Sequence, residues 1–395
     1  MPETCNVALL GQKFMGRAHS NAYLKVAKFF NVPVRPVMHT IVGRDLIALA
    51  PFADRWGWRN YSTSWKEVVK AGEIDLVDVS TPNYTHAEQA IAALAAGKHV
   101  ACEKPLAHTL RDARAMKNAA ARARRCKTFV WYNYRRCPAV ALARRLVQEG
   151  RLGRIYHVRA SYLQSWGGPE TPLVWRFQKK YAGSGAHGDL NAHIIDMARF
   201  ITGQQIVEVT GAIAETFITD RPLPASPGKG GIGSGSEQRK QRGKSDVDDC
   251  VLFLARFAGG AVGSFEATRL ATGNQNNNNI EINGEHGALR FGFEDMNLLW
   301  FYDNRESKAT AGWRRIMCTS AGEHPYAGAW WPDGHVIGYE HTFVNMVADM
   351  MAVLGGEEPT VPLPDFADAY ETQRVLEAAL LAAKHRAAVK ISEIK

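Results

Sequence analysis

Short apolar runs alternate with longer helix-like segments through the first 130 residues of the chain. The strand-like runs lie at residues 7–10, 36–42, 76–80 and 99–102. Between them, apolar residues recur at helical spacing in residues 14–30, 46–56, 64–71 and 86–96. Because strands buried on both faces read as continuous apolar runs, this alternation predicts a parallel sheet covered by helices on both sides. We therefore predict an N-terminal α/β domain over residues 1–131.

The hydrophobic pattern changes after residue 130. Apolar and polar residues then alternate in residues 155–164, 206–218, 251–257, 261–268, 280–283 and 288–292. Such half-buried strands without regular helical crossovers predict a mostly antiparallel sheet with one covered face, in an α+β domain over residues 132–395. Residues 222–249 are rich in Gly, Ser, Lys and Pro and are predicted to form a flexible surface excursion, and the asparagine tract 274–279 a hairpin loop.

Composition supports two domains and excludes several classes of protein. The chain has 395 residues, more than the roughly 250–300 at which a single core stops growing. A net charge of +9 comes without a recognisable nucleic-acid-binding module, so we predict no nucleic-acid partner. No apolar run approaches about 18 residues and no leader-like segment precedes the first strand, which predicts no membrane span. Six cysteines without a CxxC pair favour reduced thiols and a cytoplasmic location.

A glycine-containing turn follows the first predicted strand. The segment Gly11-Gln12-Lys13-Phe14-Met15-Gly16 has the outer glycines of a GxGxxG motif, but Lys13 replaces the middle one. The middle glycine normally lets the backbone approach a pyrophosphate closely. The strand–turn–helix context favours dinucleotide binding, with the Lys13 ammonium beside a phosphate, over an ordinary tight turn.

The end of the second strand bears on the choice of cofactor. An acidic residue at this point commonly binds the adenosine ribose. Here Gly43 takes that place and leaves Arg44 to meet a 2′-phosphate, which slightly favours NADP over NAD. A shift of one residue would instead make Asp45 the ribose ligand.

Two further strands end in residues suited to chemistry. Ser80-Thr81-Pro82-Asn83, followed by His86, ends the strand at 76–80, and Glu103-Lys104-Pro105 ends the strand at 99–102. Open α/β sheets bind ligands in the crevice at these strand ends. We therefore expect Lys104 to lie where a cofactor and a substrate meet.

A second candidate group lies at residues 183–193, which read GSGAHGDLNAH. In a helix, Asp189 and His193 would be one turn apart on one face, where the carboxylate could orient the imidazole for proton transfer. A helix cap and an interior histidine are the plain alternative. A zinc site of Asp189, His193 and His187 has no further ligand spacing to support it, and we predict no metal.

Together these motifs resemble the glucose-fructose oxidoreductase and inositol dehydrogenase family, also called Gfo/Idh/MocA. The resemblance covers nearly the whole chain: the glycine turn, the TPN segment with His86, EKP, residues 133–136 (NYRR), 175–177 (WRF) and GDxxxH at 188–193. EKP together with GDxxxH is specific to the family, whereas the glycine turn is not. The NYRR, WRF and GSGAxGD stretches are most similar to its sugar dehydrogenases.

The resemblance implies a Rossmann domain followed by an α+β domain whose large open sheet is used for substrate binding and for homodimer or homotetramer contacts. Its catalytic residues correspond to Lys104, Asp189 and His193. The cofactor contacts that it implies are Gly11, Phe14, Met15, Arg44, Ser80, Thr81, Asn83, His86, Glu103 and Asn133, followed by Trp175 and Arg176. Tyr162, Gln164, Arg176 and His335 are further candidates for binding sugar hydroxyl groups, beside the three catalytic residues.

Three functions agree with this sequence. The first is NAD(P)-dependent transfer of a hydride between nicotinamide and a secondary hydroxyl of a sugar, anhydrosugar, glycoside or inositol. The second is a glycosidase that retains NAD and cleaves by transient oxidation and elimination. The third, a non-catalytic cofactor-binding protein, is disfavoured because Lys104, Asp189 and His193 occur together.

Overall fold

The computed structural model describes residues 3–225 and 238–395. The chain divides into two units, Met1–Arg136 with Ile337–Tyr370, and Cys137–Val336 with Glu371–Lys395. The sequence placed all of residues 132–395 in one domain, so the structure differs in returning Ile337–Tyr370 to the first unit. The physical reason is that a helix at Tyr339–Gly355 packs against the first helix of the chain, Phe14–Phe29.

The first unit is built on a six-stranded parallel sheet. Its strands are β1 (Thr4–Leu10), β2 (Arg35–Val42), β3 (Asn60–Ser62), β4 (Leu76–Val79), β5 (His99–Cys102) and β6 (Thr128–Val130). Their order, β3-β2-β1-β4-β5-β6, reverses direction at β1, and the crevice beside that reversal is where doubly wound sheets bind dinucleotides. The predicted N-terminal Rossmann fold is confirmed.

Five helices connect these strands: α1 (Phe14–Phe29), α2 (Leu46–Trp56), α3 (Trp65–Val68), α4 (His86–Ala95) and α5 (Leu110–Arg122). Side-chain hydrogen bonds and a left-handed glycine define the ends of two of them. The Asp45 carboxylate accepts hydrogen bonds from the first N–H groups of α2, which ends at Gly57 in a left-handed conformation. The Thr109 hydroxyl caps α5 by accepting from the N–H of Asp112.

The second unit contains a nine-stranded sheet in the order β16-β15-β14-β13-β7-β12-β11-β8-β17. Its strands are β7 (Ile155–Leu163), β8 (Ile206–Glu215), β11 (Cys250–Phe257), β12 (Val262–Thr268), β13 (Asn277–Gly284), β14 (Gly287–Gly292), β15 (Leu298–Asp303), β16 (Arg314–Met317) and β17 (Val389–Lys390). All neighbours pair antiparallel except β7 and β12, which are parallel. The predicted large, mostly antiparallel sheet is confirmed.

The remaining helices are α6 (Pro138–Gln148), α7 (Lys179–Ala182), α8 (Ala192–Thr202), α9 (Ala327–Trp330), α10 (Tyr339–Gly355) and α11 (Phe366–His385). A π-helical turn at His187–Asn191 leads directly into α8, and α8 is buried along its whole length. In residues 3–225 and 238–395, no helix combines the length and the apolar character needed to cross a bilayer.

Two predicted loops are partly strands. Of the excursion predicted at 222–249, residues 226–237 lie outside the described residues, but β9 (Asp220–Pro224) and β10 (Gln238–Lys244) pair as an antiparallel ribbon. Val247 and Asp249, just after the ribbon, are buried, so the composition of the segment was misleading at its C-terminal end. The asparagine tract predicted as a loop is a loop only at residues 274–276, because residues 277–279 begin β13 and pair with β7.

Candidate active site

The glycine turn of the first unit is a close-packed connection between β1 and α1. Gly11 has φ +115°, and a Cβ added there would lie 2.7 Å from the Ser80 Oγ. A Cβ on Gly16 would lie 2.2 Å from the carbonyl oxygen of Gly11. Lys13 directly precedes the first residue of α1, so the N-terminal N–H groups of this helix lie at Phe14 and Met15. This turn fits the pyrophosphate of a dinucleotide, because such helix ends stabilise negative charge.

The structure separates the two candidates at the end of β2. Asp45 is the N-cap of α2, with its Oδ1 accepting from the backbone N–H of Ile47 at 3.1 Å and of Ala48 at 3.3 Å. The Arg44 side chain is exposed. This arrangement favours Arg44 over Asp45 as the group that meets the adenosine end of the cofactor.

The TPN segment and the EKP segment are joined by His86. Its ring nitrogens lie 2.9 Å from the carbonyl oxygen of Thr81 and 3.2 Å from that of Pro105, which follows Lys104 in a cis peptide bond. Burial lowers the pKa of His86 despite these backbone oxygens. His86 is fully buried and braces the two segments, and its predicted contact with the cofactor stays a prediction.

The hydroxyl groups of the TPN segment form their own contacts. The Ser80 Oγ donates to the carbonyl oxygen of Leu10, 2.9 Å away, and so links the ends of β4 and β1. The Thr81 hydroxyl donates to Gln89 Oε1 at 2.6 Å. Asn83 begins a single 3₁₀ turn that precedes α4. Three of the predicted cofactor residues thus lie at one end of the parallel sheet, beside the glycine turn.

A buried cluster of charged side chains lies beneath Lys104. The His19 ring on α1 has its Nδ1 3.0 Å from Asp78 Oδ2 and its Nε2 3.1 Å from Glu103 Oε1. Asp78 also accepts hydrogen bonds from the Tyr23 hydroxyl and from Trp131 Nε1, each at 2.9 Å. The second oxygen of Glu103 accepts from the backbone N–H of Lys104 at 3.1 Å. Glu103 therefore connects the cluster to the predicted catalytic lysine.

The cluster holds His19 in its cationic form. Burial alone lowers the pKa of His19, but the charges and hydrogen bonds of Asp78 and Glu103 outweigh it and raise the pKa from 6.5 to about 9. The ring also stacks on Trp131, with 3.9 Å between ring centroids. A positive ring between two carboxylates is the arrangement that satisfies both, since a neutral imidazole can donate only one hydrogen bond.

Asn133 completes the described part of the first unit's site. Its amide nitrogen donates to the Thr342 hydroxyl at 2.9 Å, and Thr342 lies on α10. Asn133 is buried, and its predicted contact with the cofactor stays a prediction. The hydrogen bond between Asn133 and Thr342 explains in part why residues 337–370 group with the first unit.

In the second unit, Asp189 and His193 lie on either side of a helical irregularity. Asp189 belongs to the π-helical turn at His187–Asn191 and His193 to α8, so the regular one-turn spacing assumed from sequence does not hold. Such π-helical turns occur frequently at functional sites. The Asp189 carboxylate forms an ion pair with Arg269, 2.8 Å away, at the end of β12. Arg269 was not predicted from the sequence.

His187 does not contribute to a metal site. Asn191 Nδ2 lies 2.9 Å from His187 Nδ1, and His187 Nε2 lies 2.8 Å from the carbonyl oxygen of Leu376. These partners select the neutral ring with the proton on Nε2. In the part of the chain that the structure describes, no three His, Cys, Asp or Glu side chains are grouped to hold a metal ion.

A hydrogen-bonded chain of polar side chains begins beside His193. The rings of His193 and Tyr162 have centroids 5.9 Å apart. The Tyr162 hydroxyl donates to Asn276 Oδ1 at 2.6 Å, and Gln164 Nε2 donates to the same oxygen at 2.7 Å. Gln164 Oε1 in turn accepts from Trp166 Nε1 at 2.6 Å. The predicted pair Tyr162 and Gln164 is thus brought together near His193. Asn276, in the loop just before β13, was not among the predicted site residues.

The predicted pair Trp175 and Arg176 lies on a short 3₁₀ turn that ends at Phe177. The Arg176 guanidinium lies over the Trp175 ring at 4.4 Å. Phe177 is fully buried and anchors the turn beneath two buried arginines, Arg221 at 3.6 Å and Arg269 at 5.7 Å from its ring centroid. The turn that carries Trp175 and Arg176 therefore rests on the residue that pairs with Asp189.

His335 lies apart from this group within the second unit. It is exposed, and its Nδ1 lies 2.9 Å from the carbonyl oxygen of Pro332. Within the described residues, the polar chain from Trp166 to Tyr162 does not include His335. Its role in binding substrate stays a prediction.

Comparison with known proteins agrees with both halves of this description. Residues 5–132 match the oxidoreductase family with an NAD-binding Rossmann fold, and residues 140–290 match the GFO/IDH/MocA C-terminal domain. The chain is 39% identical to levoglucosan dehydrogenase of Pseudarthrobacter phenanthrenivorans over 99% of each chain.

Solved structures are similar over the same length. A crystal structure of an oxidoreductase domain protein from Kribbella flavida has a TM-score of 0.91 at 47% identity and covers 99% of this chain and 100% of its own. Levoglucosan dehydrogenase in complex with NADH and levoglucosan has a TM-score of 0.89 at 39% identity, covering 98% of this chain and 99% of its own.

Proposed function

The chain belongs to the Gfo/Idh/MocA family of NAD-binding oxidoreductases, and we propose that it oxidises a secondary hydroxyl of a pyranose-like sugar or anhydrosugar. The observation that carries this proposal is the group of hydrogen-bonded polar side chains beside His193. Tyr162, Gln164 and Asn276 present donors and acceptors of the kind that sugar hydroxyl groups need. The relative's name, levoglucosan dehydrogenase, supports an anhydrosugar as the first compound to test.

In the proposed mechanism the hydroxyl loses a proton to the protein. A nicotinamide cofactor held at the glycine turn would supply the hydride acceptor. We propose that His193 accepts the hydroxyl proton and that the Lys104 ammonium stabilises the negative charge that develops on the substrate oxygen. In the reverse direction His193 returns the proton to the carbonyl oxygen.

The ion pair with Arg269 refines the role of Asp189. Sequence reasoning assigned Asp189 to the orientation of Lys104 or His193. A carboxylate paired with a buried guanidinium is held in its charged form. We propose that Arg269 fixes Asp189 as an anion, so that Asp189 accepts hydrogen bonds from the catalytic groups or from the sugar and does not itself donate a proton.

For the cofactor, an exposed Arg44 and a capping Asp45 support acceptance of NADP as well as NAD. A guanidinium recognises a 2′-phosphate through its paired N–H donors. The proposed preference for NADP is slight, because no acidic side chain at Gly43 would repel that phosphate. Three structures of levoglucosan dehydrogenase, in contrast, are complexes with NADH.

The decisive experiment follows absorbance at 340 nm with NAD and with NADP against levoglucosan, glucose, glucosides, inositols and their keto forms. Lys104→Met should lower turnover about 100-fold or more, because general acid–base and hydrogen-bonding groups contribute that much, while cofactor binding stays near wild type. Lys66→Met is the matched control, since Lys66 is an exposed lysine of the same unit and should leave turnover unchanged.

Each outcome of the panel separates the candidate functions. Reduction of the cofactor by a sugar supports the dehydrogenase. Cleavage of a glucoside without net reduction identifies the NAD-retaining glycosidase. Tight cofactor binding without either reaction, or full turnover by Lys104→Met, would contradict the catalytic assignment.

We also propose that two or four copies associate through the outer face of the nine-stranded sheet. Ile213 and Leu254 on this face are half exposed, and Trp300 lies beside Arg290 and Glu281 in the same shallow concavity. An apolar patch with both signs of charge at its edge suits a second copy of the same surface. All six cysteines are free thiols, which supports the predicted cytoplasmic location.

A further inference from the structure

The charged cluster around His19 has no part in the proposed chemistry, although it costs free energy to bury. His19, Asp78 and Glu103 come from α1, β4 and the end of β5, and His19 and Asp78 have no exposed surface. Two carboxylates and one imidazolium carry a net negative charge in the interior, which proteins accept only with close pairing. Apolar side chains could fill the same space without this cost. The presence of charged groups here therefore points to a role beyond packing.

One reason lies in the connections of Glu103. One carboxylate oxygen faces His19 Nε2 and the other accepts from the backbone N–H of Lys104. Removal of the imidazolium would leave Glu103 as a buried anion beside Asp78, with that single N–H as its donor among these contacts. Such an anion would rotate towards water, and its second oxygen would then no longer accept from the backbone N–H of Lys104.

A second connection runs to the glycine turn. His19 is on α1, and its neighbour Ser20 donates from Oγ to the carbonyl oxygen of Gly16 at 2.7 Å, while Trp58 Nε1 donates to the Ser20 Oγ at 3.0 Å. The helix that begins at the dinucleotide turn is therefore fixed in place at the residue next to His19. Because these bonds do not involve His19, the dinucleotide turn should keep its place when His19 is replaced.

We propose that His19 is a positioning residue for Lys104: by bridging Asp78 and Glu103 it fixes the carboxylate that holds the lysine's backbone at the end of β5. The inference rests on the proposed role of Lys104 in turnover. It predicts that His19 affects turnover through Glu103 and not through cofactor binding.

The contacts of His19 with Asp78 and Glu103 depend on pH in a defined direction. The pKa of His19 is raised from 6.5 to about 9, so the stabilisation by the cation is complete below about pH 6.5 and is lost as the pH rises through about 9. Burial and the nearby carboxylates raise the pKa values of Tyr23 and Cys102 well above their usual ranges, and burial with Asp75 raises that of Cys5 to about 12. The groups around the ring and its partners are Asp78, Glu103, Tyr23, Cys102, Cys5, His86, Lys104, Trp131 and Phe343. His19 therefore loses its proton before the neutral acids around it.

Two substitutions distinguish the contact of His19 with Glu103 from its contact with Asp78. In His19→Gln the amide nitrogen reaches the place of Nε2 and can still donate to Glu103, whereas in His19→Asn it reaches the place of Nδ1 and donates only to Asp78. We expect His19→Asn to lower kcat about 100-fold, because small displacements of a catalytic group have effects of that size. His19→Gln should retain most of the wild-type kcat. Tyr23→Phe is the control, since it removes a donor to Asp78 without touching Glu103.

Four measurements decide the proposal. Steady-state kinetics give kcat and KM for the sugar, and fluorescence quenching gives the dissociation constant of NADH, which should stay within about threefold for both His19 variants. NMR titration of the imidazoles in the cofactor-free protein should show one ring, absent from His19→Gln, that stays protonated to about pH 9. The double variant Lys104→Met/His19→Asn should be no slower than Lys104→Met alone.

The outcomes are distinguishable. If Lys104→Met alone retains full turnover, the proposed function fails and the positioning role fails with it. If Lys104→Met is slow and His19→Asn multiplies that loss, His19 acts independently of Lys104 and only the positioning proposal is overturned. Equal kcat for the Gln and Asn variants, or a ring that titrates near 6.5, overturns it as well. Should His19→Asn fail to fold, the titration and the kcat of His19→Gln still decide the question.

Discussion

At the scale of single residues, Arg269 contacts both Asp189 of the GDxxxH segment and a pair of aromatic rings in the second unit. Its guanidinium is 2.8 Å from Asp189 and about equally close to two rings, 5.0 Å from Trp166 and 5.7 Å from Phe177. The side chain is only 3% exposed, so its charge is poorly screened by solvent. Asp189 therefore depends on Arg269 far more than a surface carboxylate depends on its partner.

We expect Arg269→Gln to lower kcat by about 100-fold, because it removes the cation that pairs with Asp189 and so displaces a carboxylate of the proposed catalytic group. NADH binding to the first unit should be unchanged. Stopped-flow or steady-state kinetics with the best sugar of the panel would measure the effect. Arg256→Gln is a suitable control, since Arg256 belongs to an exposed pair with Glu208. A variant that keeps wild-type kcat would show that Asp189 needs no cationic partner.

The residue scale also shows what the sequence could not supply. EKP and GDxxxH led to Lys104, Asp189 and His193, but the partners His19 and Arg269 lie at sequence separations of 84 and 80 residues from Glu103 and Asp189. A pattern along the chain carries no information about contacts over that range. The one available signal was Asp78, an isolated carboxylate inside the buried strand Leu76–Val79, since such a charge requires buried partners.

At the scale of elements, periodicity predicted most strands and failed where packing overrides it. The apolar alternation of β7, β8, β11 and β12 was sufficient, because one face of each strand is covered. The asparagines that open β13 lack that pattern, yet they pair with β7 and Asn278 is fully buried. The π-helical turn before α8 was also beyond prediction, because its extra residue leaves no mark on the hydrophobic pattern.

The attachment of α10 to the first unit depends on a buried ion pair. Arg136 Nε lies 3.0 Å from Asp349 Oδ2, with both side chains at most 1% exposed. Asp349→Ala should lower the free energy of unfolding by about 3–5 kcal/mol, because it leaves an uncompensated buried guanidinium. Urea unfolding followed by tryptophan fluorescence would measure this loss.

The matched control for that measurement is Lys66→Ala. Lys66 and Glu88 form an ion pair in which both side chains are more than 60% exposed, and such pairs contribute about 0–1 kcal/mol. Equal stability losses for Asp349→Ala and Lys66→Ala would contradict a structural role of the buried pair.

At the scale of the whole molecule, the open face of the nine-stranded sheet determines the expected assembly. Leu254 is 51% exposed and Ile213 54%, on strands β11 and β8 that lie side by side. Leu254→Arg should shift the molecular mass measured by light scattering from a dimer or tetramer to a monomer, because two copies would each bury an unpaired charge. Tyr61→Arg, at the exposed β3 of the first unit, should leave the mass unchanged. A monomeric wild-type protein would contradict this assembly.

The return of residues 337–370 to the first unit has a consequence for synthesis on the ribosome. Three contacts join the end of the first segment to α10: Trp131 packs against Phe343, Asn133 donates to Thr342, and Arg136 pairs with Asp349. The partners on α10 are translated about two hundred residues later. When residue 136 emerges, a guanidinium and aromatic rings still face water. The first unit therefore matures only after residues 337–370 have been made, although its sheet is encoded by the first 130 residues.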